Sequence, residues 1–73
     1  MEKHIYIKLY PIKLGQFLKQ ADAVNDGLEA KLIILNGSVT VNGLKETRRG
    51  KKLNVGDKVV IDGTSYICAQ KKI

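Results

Sequence analysis

The sequence predicts an α+β fold in which two short helices pack on a small, mostly antiparallel sheet. Apolar and polar residues alternate at the start of the chain and again in its second half, as in half-buried strands. Apolar residues at helical spacing occupy the stretch between, and two Asx-Gly dipeptides suit tight hairpin turns. With 73 residues the chain is expected to form one domain, spanning 1–73, whose core is near the lower limit for independent folding.

The first strand is predicted over residues 3–9, and Pro11 ends it at a sheet edge. A first amphipathic helix follows, because four apolar residues stand at positions i, i+3, i+4 and i+7: Leu14, Phe17, Leu18 and Ala21. Lys13 and Gln16 lie off this stripe, where they face solvent or a ligand. Lys13 also opposes the helix dipole at the helix start, which favours a phosphate contact there.

A second helix is predicted from about Leu28 to Leu35. Asp26 and Glu29 have the spacing of a capping box at its start, and Asn36-Gly37 is a suitable stop. Its buried face is expected to consist of Leu28, Leu32 and Leu35, widened by Ala30, Ile33 and Ile34. We expect one shared core that contains Leu14, Phe17, Leu18, Leu32, Ile33 and Val41.

The remaining residues are predicted to form an antiparallel meander. Val39 and Val41 alternate with polar residues, and Asn42-Gly43 suits a two-residue turn with positive φ at both positions. After a Gly56-Asp57 turn, a second hairpin is centred on Asp62-Gly63. Pairing across it sets Val59 opposite Tyr66 and Ile61 opposite Thr64, with a last strand over Tyr66–Ala69 and a tail over 70–73.

The formal charge of +6 is concentrated in one segment. Residues 1–30 carry no net charge, so all of it belongs to residues 31–73. Residues 45–52, which we call the basic loop, hold one carboxylate, Glu46, and five cations: Lys45, Arg48, Arg49, Lys51 and Lys52. Such a patch attracts polyanions, because neutralising phosphates releases their condensed counterions. The alternative interpretation is a solvated loop that confers solubility.

Catalytic and metal-binding chemistry is not predicted. One cysteine and one histidine cannot supply the four ligands of a structural zinc site, and Cys68 stands in an apolar strand pattern as a packing residue. The glycines match no phosphate-binding or dinucleotide fingerprint. We therefore predict no enzyme activity, no cofactor and no metal. The single cysteine, the lack of an apolar run of ~20 residues and the lack of a signal peptide predict a cytoplasmic protein without a membrane partner.

Three groups of residues resemble a known family. They are Leu14-x-x-x-Leu18, Ala30-x-x-Ile33-x-x-x-Gly37-x-Val39-x-Val41-Asn42-Gly43, and Leu53-x-x-Gly56-Asp57-x-Val59. Over residues 12–61 the chain resembles the RNA-binding domain named after ribosomal small-subunit protein S4, the αL motif. Residues 46–52 are similar to the small stand-alone YaaA-like and YbcJ-like members. The resemblance implies a monomeric module that presents two helices and the following β turn to structured RNA, ribosomal or transfer, with ribosomal-particle proteins as further partners.

The resemblance also suggests which residues contact RNA. Lys13 matches a basic position at the start of the first helix, and Lys31 a basic position in the second. Many relatives have Ser-Arg where this chain has Asp26-Gly27, which removes one usual phosphate contact and shifts the expected interface toward the basic loop. The full set of expected RNA-binding residues is Lys13, Gln16, Lys31, Lys45, Arg48, Arg49, Lys51 and Lys52.

Two alternatives remain at this point. A β-grasp carrier would share the Val-Asn-Gly hairpin and the Gly-Asp turn, but carriers end in Gly-Gly and this chain ends in Lys71-Lys72-Ile73. An adapter protein would use the basic loop to bind an acidic protein partner.

Overall fold

The computed structural model describes residues 1–70 and confirms the predicted α+β fold. The elements in chain order are β1 (Glu2–Ile7), β2 (Ile12–Lys13), α1 (Leu14–Gln20), α2 (Gly27–Leu35), β3 (Val39–Val41), β4 (Leu44–Lys45), β5 (Lys52–Leu53), β6 (Lys58–Ile61) and β7 (Thr64–Gln70). Gln70, predicted as part of a tail, is the last residue of β7, and the rest of that predicted tail lies outside the described residues. No helix within residues 1–70 has the length and apolar character needed to cross a membrane.

The strands form two sheets. The larger sheet has the order β1-β7-β6-β3-β4, in which β1 and β7 are parallel and all other neighbours are antiparallel. The smaller sheet pairs β2 with β5 and was not predicted. The first strand lies at a sheet edge as predicted, but it ends at Ile7, and Leu9 is exposed. The chain bends away after Ile7, and the Tyr10 hydroxyl donates to the Ala69 carbonyl at 2.7 Å.

Both predicted hairpin turns are confirmed. Asn42 and Gly43 have φ angles of 52° and 86°, and they connect Val41 to its partner Leu44. Asp62 and Gly63 have φ angles of 49° and 81°. The predicted register across this second turn is also confirmed, with Val59 opposite Tyr66 and Ile61 opposite Thr64.

The core lies between α1 and the sheet. The predicted inner face of α1 is confirmed, because Leu14, Phe17 and Leu18 are fully buried and Ala21 packs against them. The residues that they meet from the other elements include Ile34, Val39, Val41, Leu53, Val59 and Cys68. No charged side chain among residues 1–70 is buried in this core.

The caps predicted for α2 are confirmed. The Glu29 N–H donates to Asp26 Oδ1 at 2.9 Å, and Glu29 Oε1 accepts from the N–H of Asn25, the residue before the N-cap, at 2.6 Å. At the other end, Gly37 has a φ of 83° and its N–H donates to the Ile34 carbonyl, while the N–H of Ser38 donates to the Ile33 carbonyl. This hydrogen-bond pattern is the Schellman motif, which ends the helix.

The predicted buried face of α2 is wrong for its three leucines and right for the three residues predicted to widen it. Leu28, Leu32 and Leu35 are 65%, 58% and 59% exposed, so Leu32 does not belong to the shared core. Ala30 and Ile34, which were predicted to widen the buried face, are buried, and Ile33 is half-buried. The cause is compositional: apolar residues lie on every side of this helix, so their spacing cannot select one face.

Candidate nucleic-acid interface

The basic loop is attached to the start of α1 by the backbone. The N–H of Leu14 donates to the Lys51 carbonyl at 2.8 Å, and the N–H of Gly15 donates to the Arg49 carbonyl at 3.0 Å. Directly after the loop, the fully buried Leu53 pairs with Ile12 in the β2–β5 ladder. The two helix N–H groups and the ladder therefore fix the second half of the loop against α1.

This attachment creates a cleft of about 330 Å³ between α1, the start of α2 and the loop. The cleft is lined by Lys13, Gly15, Gln16, Lys19, Gly27, Ala30, Arg49 and Gly50. We call it the basic cleft, because Lys13, Lys19 and Arg49 line it and no carboxylate of the described residues does. It brings together three predicted site residues, Lys13, Gln16 and Arg49. Lys19, which was predicted to lie on the solvent face of the helix, also lines the cleft, three residues after Gln16 on one helix face.

Two lysines beside the basic cleft are held in an unfavourable arrangement. Lys13 and Lys52 are direct partners in the β2–β5 ladder, and both are exposed. Like charges at directly opposite positions of an antiparallel pair repel each other. Lys13 is also the N-cap of α1, where a positive charge opposes the helix dipole. A bound anion would relieve both unfavourable interactions.

Arg49 lies at the centre of the positively charged surface. Besides the basic cleft it lines a neighbouring small pocket of about 70 Å³, together with Lys31, Leu35 and Thr47. The predicted residue Lys31 therefore joins the same surface from α2. A Cβ at Gly15 would lie 3.6 Å from the Arg49 Cβ, which is ordinary van der Waals contact, so the loop packs closely on α1 at this point.

Three further predicted residues of the loop lie on a second concave surface. Lys45, Arg48 and Lys51 line a shallow trough of about 490 Å³ together with Glu46 and residues of the first hairpin. Arg48 and Arg49 thus contribute to different surfaces, although they are neighbours in sequence. Arg48 is paired with Glu46 through a bond of 2.9 Å from Nε to Oε2. The hydrogen bond from the Arg48 side chain lowers the pKa of the Glu46 carboxyl, and Glu46 in turn raises the pKa of Arg48.

Asn42, a turn residue that lines the trough, is hydrogen-bonded to the Gly56-Asp57 turn. The Asn42 amide donates to Asp57 Oδ1 at 3.1 Å and accepts from the N–H of Lys58 at 2.9 Å. Asp57 Oδ2 also accepts from the N–H of Asn54 at 2.8 Å. The two turns that the sequence places far apart are therefore linked by side chains, which fixes the orientation of the first hairpin relative to β5 and β6.

Cys68 has the properties of a packing residue. It is 1% exposed, and burial raises the pKa of its thiol to about 11, with a further contribution from the Asp57 carboxylate. A thiol with such a pKa is protonated at neutral pH and is a poor nucleophile. Within residues 1–70, no three His, Cys, Asp or Glu side chains are grouped so as to hold a metal ion.

Comparison with known proteins gives two matches. The sequence model of a family described as S4 domain matches residues 5–68. A curated protein of Bacillus subtilis (strain 168), named "Probable ribosome maturation protein RlbA", is 46% identical to the chain over 63 residues. The aligned region covers 86% of this chain and 89% of that protein.

Proposed function

The chain belongs to the S4 domain family, and from this membership we propose that it binds structured RNA, without catalysis, through the basic cleft and the basic loop. The observation that carries the proposal is the attachment of the loop to α1, which gathers Lys13, Lys19 and Arg49 around one cleft. The name of the similar Bacillus protein refers to ribosome maturation, which favours ribosomal RNA as the target over transfer RNA.

Phosphate groups are the part of RNA that this surface suits best. The three cations of the cleft are not neutralised by a carboxylate of the described residues, and the Lys13–Lys52 pair favours an anion nearby. The chain has only four aromatic residues, and one of them, Phe17, is fully buried, so base stacking contributes little. Shape and phosphate spacing therefore determine recognition, as expected for A-form RNA with its exposed backbone and 2′-hydroxyls.

The predicted residues have unequal roles in this proposal. Arg49 is the main contact, because it borders both the basic cleft and the pocket that contains Lys31. Lys13 and Gln16, together with Lys19, bind from α1. Lys52 adds charge beside Lys13. The trough residues bind a separate phosphate: Lys45, Arg48 and Lys51.

Salt-dependent binding of a labelled RNA hairpin tests the proposal. With about five of the proposed cations each contacting one phosphate, the log of affinity should decrease with log salt at a slope of about −3.5 to −4.5. Arg49→Ala should weaken binding more than Arg48→Ala, and each lost contact should flatten the slope by ~0.7–0.9. The double variant Arg48→Ala/Arg49→Ala should flatten it by about one to two units. Lys3→Ala, on β1 at the far edge of the sheet from β4, is the matched control and should leave the slope unchanged.

The RNA affinity and salt slope of the double variant decide whether the proposal holds. If the folded double variant binds the hairpin with the affinity and salt slope of the parent, the basic loop is a solvated surface and not an RNA contact. Circular dichroism of each variant checks that the fold is retained. Crosslinking in cells, followed by sequencing of the bound RNA, identifies the natural target.

A protein adapter is the second candidate function. It is favoured by the exposed leucines of α2, of which Leu35 lies in the same pocket as Lys31 and Arg49. A pulldown with and without nuclease distinguishes the two functions. If the chain is an adapter, its acidic protein partner is captured in both cases, and added salt releases it. Capture that nuclease abolishes supports RNA as the direct ligand.

A further inference from the structure

Glu46 is the only acidic residue of the basic loop, and its position is unexpected for a surface that binds a polyanion. Its carboxylate lies among the cations of the trough, where Arg48 and Lys51 both lower its pKa. The side chain is only 12% exposed, whereas that of Arg48 is 72% exposed. A carboxylate in this place repels phosphate, so its presence requires a reason other than affinity through charge.

The hydrogen bonds that the Glu46 carboxylate accepts all come from one residue. The carboxylate accepts from the Arg48 main-chain N–H at 3.1 Å, from Nε at 2.9 Å and from Nη2 at 3.3 Å. The N–H of Glu46 in turn donates to the Val39 carbonyl of β3 at 3.0 Å. Glu46 therefore links the Arg48 guanidinium to strand β3. Its carboxylate binds the guanidinium, and its main-chain N–H binds the Val39 carbonyl.

The way in which Glu46 binds the guanidinium leaves one edge of it accessible. A guanidinium has five N–H groups in a planar fork. Glu46 takes the Nε side, so the outer Nη1/Nη2 edge remains, and within residues 1–70 this edge has no acceptor. Two parallel N–H groups on such an edge match two oxygens of a phosphate. Lys45 and Lys51 line the same trough and add charge beside it.

We propose that Glu46 is a positioning residue for RNA binding, which fixes Arg48 so that its Nη1/Nη2 edge is presented to a phosphate group. The inference rests on the proposed function and specifies how the trough takes part in it. An arginine that is already oriented loses less rotamer freedom when RNA binds. The gain from this pre-organisation exceeds the repulsion between the Glu46 carboxylate and the phosphate.

Positioning of Arg48 and simple electrostatics predict opposite effects on RNA affinity when Glu46 is removed. Glu46→Ala makes the protein more positive, so charge alone predicts tighter RNA binding. Positioning predicts the reverse, because Arg48 becomes free to move. We expect Glu46→Ala to weaken binding of a labelled RNA hairpin by about 2- to 10-fold, the effect of having to immobilise one long side chain on binding.

A double-variant cycle tests whether Glu46 acts through Arg48. The hairpin is titrated with the parent, Glu46→Ala, Arg48→Ala and the combined variant. In the Arg48→Ala background, Glu46→Ala should no longer weaken binding, and it should tighten binding slightly through charge. Glu2→Ala removes the same charge from β1, at the opposite edge of the sheet, and as the matched control it should not weaken binding.

Two outcomes overturn the inference while the proposed function stands. One is that Glu46→Ala binds as tightly as the parent, or more tightly, while Arg49→Ala is weakened. The other is that Glu46→Ala weakens binding equally with and without Arg48, which assigns Glu46 a role in loop shape alone. Should Glu46→Ala fail to fold, Glu46→Gln keeps the volume, loses the paired acceptor geometry and is subject to the same criteria. Both proposals are overturned if the parent does not bind RNA, or if the folded double variant Arg48→Ala/Arg49→Ala binds RNA as the parent does.

Discussion

Gly43 illustrates how a single backbone angle restricts the residue type at a position. Its φ is +86°, and a Cβ built there would meet nothing within 4 Å, so any penalty for a side chain comes from the backbone. We expect Gly43→Val to lower the free energy of unfolding by about 1–2 kcal/mol. Gly50→Val is the matched control, because Gly50 also faces open space but does not have a left-handed φ. Urea denaturation of both variants measures the difference, and equal stabilities would contradict the type of turn described.

Cys68 makes stability depend on pH in the alkaline range. Burial and the nearby Asp57 carboxylate raise the thiol pKa from its ordinary value of 9.0 to about 11 in the folded state. The unfolded thiol loses its proton first, so the contribution of Cys68 is complete below pH 9.0 and is lost as the pH rises to about 11. The loss amounts to at most about 3 kcal/mol.

The comparison that isolates this effect is between the parent and Cys68→Ala. Urea unfolding is measured at about pH 8 and again near the folded pKa of about 11. The parent should lose more stability between the two values than Cys68→Ala does, because the variant lacks the thiol. Equal losses would show that groups other than Cys68, such as Tyr10, whose pKa burial raises to about 12, account for the alkaline destabilisation.

At the scale of the element, α2 offers a direct test of which face is buried. Leu32 is 58% exposed and Ile34 is fully buried, although both belong to the same helix. Ile34→Ala should cost about 2–5 kcal/mol of unfolding free energy, because it leaves a cavity in the core. Leu32→Ala should change stability by less than about 0.5 kcal/mol. Thermal denaturation measures the stability of both variants. If the leucine face were the buried one, Leu32→Ala would be the less stable of the two.

The difference between the two helices shows what apolar spacing can predict. In α1 the polar residues Gln16, Lys19 and Gln20 mark the outer side, so the stripe of Leu14, Phe17 and Leu18 is unambiguous. In α2 polar residues mark no side, and the orientation depends on tertiary attachments that no local pattern encodes. The β2–β5 ladder was missed for a related reason, since two residues per strand cannot display an alternation.

At the scale of the whole molecule, the segment that carries the positive charge could be predicted from the sequence, but the arrangement of its side chains on the surface could not. The concentration of cations in residues 45–52 and the supporting hairpin could be predicted from composition and turn chemistry. The division of neighbouring residues between two surfaces could not, because it depends on the loop carbonyls that accept from Leu14 and Gly15. Glu46 was counted only as one negative charge, since its pairing geometry has no sequence signature.

The parallel pairing of β1 with β7 has a consequence for the order in which the chain can fold. Glu2 pairs with Ser65, and the nearby bond from Tyr10 to Ala69 joins residues 59 positions apart. Closing a loop of this length costs roughly 3–4 kcal/mol of chain entropy, so these contacts form late. During synthesis, β1 leaves the ribosome first and remains unpaired until β7 has been made. The helices and the β3–β4 hairpin can assemble from local contacts in the meantime, and β1 completes the sheet edge after β6 and β7 have paired.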